Sequence, residues 1–154
     1  MMDVAALRRS VLPTMVAAVL GNAFIGRDSL QWFQDLKRPR MQVSLPASMA
    51  IGGMYYASLG TVLYRCATRS DHTSYRLGLS VLAANELWNV ILFRRRDPRG
   101  AFFGILGFTV PVVALQWSVK DDRVATLALV PYTAWVIGYD IPWSYLLWRR
   151  NPTG

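Results

Sequence analysis

Five long apolar runs, separated by charged stretches, constrain this chain more than anything else in its 154 residues. They are Ser10–Gly26, Met41–Tyr64, Leu77–Phe93, Gly100–Val119 and Val124–Trp148, of 17, 24, 17, 20 and 25 residues, and they take 103 positions. Glu86 and Asp140 are the only charged residues inside them. A helix needs about 20 residues to cross the hydrocarbon core of a bilayer, and about 17 at the least. Every run meets that length. A soluble helical domain would show amphipathic stripes with a charged outer face, and barrel strands would be shorter and alternate in polarity. Further runs follow the first, and no small-x-small site precedes a soluble body, so the first run does not read as a removable leader. The expectation is one all-α domain over residues 1–154. It is an integral membrane protein, a five-transmembrane-helix bundle with spans of about 10–26, 43–64, 77–93, 100–119 and 124–148.

The net charge of +8 does not read as nucleic-acid binding, because its distribution matters more than its total. Arg8-Arg9, Lys37-Arg38-Arg40, Arg94-Arg95-Arg96, Arg99 and Arg149-Arg150 all lie at the ends of runs. Membrane lipids with anionic headgroups are the partners that such positions suit, since long basic side chains snorkel to the interface. With five spans, one side of the membrane receives seven Lys and Arg and the other, which holds the 27–40 and 94–99 loops and the C-terminus, receives ten. The positive-inside rule then places the N-terminus outside and the C-terminus inside. Cys66 is the only cysteine, so no disulfide can form within the chain. His72 is the only histidine and lies in a polar loop, and no metal-ligand cluster or cofactor motif is present.

The longest connection, from Gly26 to Pro46, carries Trp32, Phe33 and Leu36 at i, i+1 and i+4, the spacing of one face of a short interfacial helix. Such a segment is either an aromatic anchor at headgroup depth or a lid over the mouth of the bundle. Pro111 and Pro142 lie inside runs and should kink or loosen the helix locally. Gly52, Gly53, Gly60, Gly100, Gly104 and Gly107 offer small faces for close packing, within the bundle or in a homodimer.

The polar residues inside the runs are the candidate chemistry. Asn85, Trp88, Asn89 and Leu92, at spacings 0, 3, 4 and 7, share one helical face. Amides are costly in hydrocarbon without partners, so that face should look into the bundle. It serves either as hydrogen-bonding glue between helices or as the polar part of an oily pocket. Glu86 and Asp140 lie eight and nine residues before the arginines that end their spans, about 12–13 Å at about 1.5 Å per residue. Each is either a structural, hydrogen-bonded acid or a functional one. Tyr132, Trp135, Tyr139 and Trp143, at spacings 0, 3, 7 and 11, form an aromatic stripe that is either packing or the wall of a site for a flat ligand.

These residues resemble the translocator protein family, also called tryptophan-rich sensory proteins (TspO/MBR). The family's loop pattern is W-Y-x-x-L-x-K-P-x-W-x-P-P. Trp32, Phe33, Leu36, Arg38 and Pro39 fall in that register, while Met41 replaces the second Trp and Val43-Ser44 replace the two prolines. Tyr56 and Gly60 fit the second-span pattern Y-x-x-x-G, and Asn85, Trp88 and Phe93 resemble the third-span pattern L-N-x-x-W-x-x-x-F-F. Pro131, Tyr132 and Trp135 fit the fifth-span signature P-Y-x-x-W, after which Asp140, Pro142 and Trp143 depart from it. The resemblance implies a commonly dimeric five-helix bundle with a ligand pocket beneath a lid-like loop, here 27–46. It also implies that the ligands are porphyrins (tetrapyrroles) and other hydrophobic small molecules such as sterols.

The expected function is binding, transport or sensing of such a ligand. The site residues would be Trp32, Phe33, Arg38, Pro39, Tyr56, Asn85, Trp88, Asn89, Tyr132, Trp135, Tyr139 and Trp143, with Arg38 able to meet a carboxylate through paired hydrogen bonds. No metal or other cofactor is expected. The alternative is a membrane-embedded enzyme that degrades porphyrin with light or oxygen, as the resemblance also implies for some members. The sequence holds no catalytic triad or flavin motif to support it. A third reading, proton-coupled transport, would rest on Glu86 and Asp140.

Overall fold

A computed structural model describes residues 3–152. The described residues are helical apart from turns and loops: α1 (Val4–Phe24), α2 (Arg27–Asp35), α3 (Leu45–Thr68), α4 (His72–Asn89), α5 (Pro98–Ser118), α6 (Arg123–Trp135) and α7 (Ile141–Arg150). A π-helical turn, Val90–Arg94, continues α4, and a second, Val136–Asp140, joins α6 to α7. The described chain is therefore five long rods and one short helix. Three rods, Val4–Phe24, Pro98–Ser118 and Arg123–Arg150, are long and apolar enough to cross a membrane by length and composition.

The helices begin where a side chain can accept the free amides of a first turn. Asp3 accepts from Ala5 and Ala6, Ser44 from Ala47, Asp71 from Ser74, Asp97 from Gly100, and Asp122 from Val124 and Ala125. Four of the chain's nine acids thus cap long rods, each cap being worth about 0.5–2 kcal/mol. Caps also move the boundaries away from those of the apolar runs. The first helix starts at Val4 rather than near residue 10, because Asp3 caps it and Arg8 and Arg9 point outward without interrupting it. The second long helix runs Leu45–Thr68, a few residues later than its run.

The rods close into a ring in the order α1, α3, α6–α7, α5, α4 and back to α1, with α3 also meeting α4 inside it. Leu59, Val62, Leu63, Val81, Val112, Leu115, Leu129 and Val136 are fully buried at its centre. Apolar side chains cover the outside as well, among them Val11, Met15 and Val19 on α1, Leu106 and Val110 on α5, and Leu127 and Val130 on α6. A surface that is oily inside and out suits a solvent of lipid tails.

At the end away from α2, Asp122 joins α6 to α3, accepting from Arg65 Nε at 2.9 Å and lying 3.0 Å from Arg69 Nη1. Burial works against its charge. The Ala125 amide and the two guanidiniums outweigh that penalty and hold the carboxyl at about 2, below its ordinary 3.8.

The glycines divide by position. Gly60 packs against Thr14 and Gly104 against Trp88, whereas a Cβ on Gly52, Gly53 or Gly107 would meet nothing within 4 Å. The tightest approaches include Gly78, under Leu63, and Gly21 on α1, where a Cβ would stand 2.5 Å from Glu86 Oε2 and 2.9 Å from the Tyr56 hydroxyl. Pro111 sits within a continuous α5. Pro142 stands two residues past the Val136–Asp140 π turn, in the first turn of α7.

Candidate ligand-binding site

The 27–44 segment folds across the end of the bundle. Helix α2 has an apolar face, and Trp32, Phe33 and Leu36 pack from it onto Leu92 and Trp143. The Phe33 ring lies 5.4 Å from Phe93 and 6.1 Å from Trp143. Beyond α2 the chain runs as a loop with one turn at Arg40–Met41 and is held by polar groups of the last rod. The Lys37 amide donates to Asn151 Oδ1 at 3.0 Å, and Arg150 donates to the Arg38 carbonyl at 3.1 Å. The Tyr139 hydroxyl donates to the Met41 carbonyl and accepts from the Val43 amide, both at 3.1 Å. Trp143 donates its indole N–H to Gln42 Oε1 at 2.8 Å.

Beneath this strap the last rod presents a stack of rings. Trp135 and Tyr139 lie 4.1 Å apart between ring centres at 28°, and Tyr139 and Trp143 lie 6.4 Å apart at 13°. The π turn makes the stack. By adding a residue to the turn it brings Trp135 and Asp140, five apart, within a 2.9 Å hydrogen bond from indole Nε1 to carboxylate. It also ends the simple 3.6-residue stripe. Tyr132 is buried in the main core instead, its ring 4.5 Å from Tyr55 and 6.4 Å from Phe108.

The third rod contributes two groups. Trp88 donates to the Ala101 carbonyl at 2.9 Å and sits 6.4 Å from Trp143, which ties it to the strap side. Two residues earlier Glu86, buried, collects the polar residues around it. Its Oε1 accepts from the Tyr56 hydroxyl at 2.9 Å and from Asn85 at 3.1 Å, and its Oε2 accepts from Asn89 at 3.3 Å. The two amides therefore serve the acid.

The expected residues thus fall into three groups. Trp32, Phe33, Trp88, Tyr139 and Trp143 form one aromatic cluster, with Trp135 stacked at its edge. Tyr56, Asn85 and Asn89 surround Glu86, and Tyr132 stands apart in the core. Pro39 is buried in the strap, while Arg38 is exposed and is held through its carbonyl. Glu86 and Asp140 do not bond to each other; each has its own partners. Sequence reasoning passed over Gln42 and Asn151, whose amides pin the strap, and nothing in a lone Gln or Asn signals that role. It also passed over Gly21, which only the closeness of α1 to Glu86 explains.

Two clefts open beside these groups. One, of about 350 Å³, lies between the end of α1 and the start of α2 and includes Arg27, Ser29 and Arg94. The other, of about 460 Å³, runs between α1 and α4, lined by Val16, Leu20, Leu82 and Leu87 and by Glu86.

Residues 10–141 match the sequence model of the TspO/MBR family. A translocator protein from Ovis aries is 26% identical over 140 residues, spanning 86% of this chain and 82% of its own length. The match begins within the first rod, takes in the strap and the next three rods, and ends in the fifth rod just past the π turn. The chain is an integral membrane protein and belongs to the TspO/MBR family.

Proposed function

We propose that this protein binds porphyrins and other hydrophobic small molecules, sterols among them, for transport or sensing. The stack of Trp135, Tyr139 and Trp143 under the 27–44 strap carries the reading. Flat parallel rings suit a flat aromatic ligand, because offset stacking at about 4.5–7 Å between ring centres is favourable beyond the area it buries. Beyond α2 the strap is held to the last rod by a few hydrogen bonds, which suits a segment that lifts and closes again. In this reading all five rods span the membrane as one domain, N-terminus out and C-terminus in, and the open faces of Gly52, Gly53 and Gly107 are available to a second copy.

A porphyrin added to the protein in detergent should show a saturable shift of its Soret band, weakened at least tenfold by Trp135→Phe. A shift that is the same in the variant would sink the stacking role. Run side by side in the dark without oxygen and in light with oxygen, the assay also separates binding from degradation. A binder leaves the pigment intact, and pigment loss that needs light, oxygen and Trp135 would make the protein an enzyme.

A further inference from the structure

We infer that the seam between α1 and α4 holds one anionic glycerophospholipid, with an acyl chain in the apolar groove and the phosphate in the arginine-lined cleft at its end. The two clefts adjoin: Phe24 lines both, and the Val90–Arg94 π turn carries the chain from the groove to the cleft. The groove extends from Pro13 to Phe24 along α1 and from Leu79 to Val90 along α4. At about 1.5 Å per residue its length is about 16 Å. That is half of a hydrocarbon core about 30 Å thick, the depth of one leaflet. Val16, Leu20 and Leu87 line it and are exposed, so it opens sideways to lipid. Glu86 also lines it, but its oxygens are already engaged by Tyr56, Asn85 and Asn89, and the lipid asks nothing of them.

At the end of the groove the lining turns basic. Arg27 and Ser29 come from the start of α2, and Arg94 comes from the end of the π turn. Among the described residues the arginines engaged by a protein acceptor are Arg65, Arg69 and Arg150, so both cleft guanidiniums are free to meet a ligand. Asp28 lines the cleft as well and pairs with neither, so two cations and one anion leave it net positive. Guanidinium meets phosphate through paired, charge-assisted hydrogen bonds, and basic pockets between spans suit anionic headgroups. A zwitterionic lipid brings no net charge to this cleft, and a soluble phosphate leaves the groove empty. A lipid with one net negative charge and a long chain fills both. No residue of either cleft belongs to the aromatic cluster beneath the strap, so the lipid site stands apart from the tetrapyrrole reading.

Native mass spectrometry of the full chain in detergent tests this, with palmitoyl-oleoyl phosphatidylglycerol titrated against phosphatidylcholine of the same chains. The first phosphatidylglycerol should bind at least tenfold more tightly than the first phosphatidylcholine. Arg27→Gln combined with Arg94→Gln should remove that preference. Arg40→Gln combined with Arg149→Gln, the same loss of charge at exposed positions near the same end of the bundle, should keep it. Ala83→Trp, at a small and exposed position of the groove wall, should weaken phosphatidylglycerol at least tenfold with both cleft arginines in place. Equal affinity for the two lipids would overturn the inference. So would a preference that survives loss of Arg27 and Arg94 or falls as far with loss of Arg40 and Arg149, and so would full affinity in Ala83→Trp.

Discussion

Trp135 and Asp140, five residues apart, are joined by a 2.9 Å hydrogen bond that only the intervening π turn permits. In a regular α-helix these two side chains would point about 140° apart. The extra residue in the turn aligns them and places Tyr139 against the indole.

Replacing the carboxylate tests this arrangement. Asp140→Leu leaves the indole N–H without its acceptor and should lower stability by about 1–3 kcal/mol, while Asp140→Asn keeps an acceptor oxygen and should cost less. Thermal unfolding in detergent measures both. Equal loss in the two variants would show that the hydrogen bond is not what matters at residue 140.

The strap depends on Tyr139, whose hydroxyl serves two backbone groups of the 41–43 segment. Tyr139→Phe keeps the ring and removes both bonds. At about 0.5–1.5 kcal/mol for each net bond, the Val43 amide should exchange its hydrogen several-fold faster or more, with amides at the centre of α3 unchanged. An unchanged Val43 rate would mean that other contacts hold the strap.

Gly21 and Gly53 make a matched pair of opposite expectation. A methyl at residue 21 would press on Glu86 Oε2 and the Tyr56 hydroxyl, whereas at residue 53 it would meet nothing within 4 Å. Gly21→Ala should therefore destabilise by about 1–3 kcal/mol, and Gly53→Ala should be neutral or stabilising by up to about 1 kcal/mol. Like effects in the two variants would contradict the packing of α1 on the Glu86 cluster.

Asp122 gives a pH signature. Its folded value of about 2 lies below the ordinary 3.8, so its ion pairs add stability that is fully present above 3.8. That stability is lost as pH falls through the folded value. The difference in melting temperature between the parent and Asp122→Asn should accordingly be constant at neutral pH and shrink as pH falls from about 3.8 toward about 2. Half-exposed Arg69 makes part of it sensitive to salt. A difference that persists below that window would place the role of Asp122 in its capping bonds instead.

Much of the helical architecture was legible because a long apolar run marks each long rod, and three of the rods are long and apolar enough to cross a membrane. The short helix was legible from Trp32, Phe33 and Leu36, whose spacing matches the face that packs on Leu92 and Trp143. What escaped were departures from regular geometry and contacts between distant residues. The stripe from Tyr132 to Trp143 was read at 3.6 residues per turn, and the π turn breaks that period and leaves Tyr132 in the core. The start of α1 at Val4 was hidden because Arg8 and Arg9 end the apolar run without ending the helix. The amides of Asn85 and Asn89 were read as facing a pocket or another helix, and the acid they serve is their own neighbour, Glu86. Contacts such as Gln42 with Trp143, 101 residues apart, leave no local trace.

The central claim is that a tetrapyrrole stacks beneath the strap, and tryptophan fluorescence tests it most directly. Porphyrin should quench the protein's emission saturably in detergent, and Trp135→Phe should remove a large part of the saturable component. Tyr139→Phe, which frees the strap, should raise the porphyrin off-rate. Quenching that rises linearly without saturation across a panel of porphyrins, in the parent protein, would contradict the account.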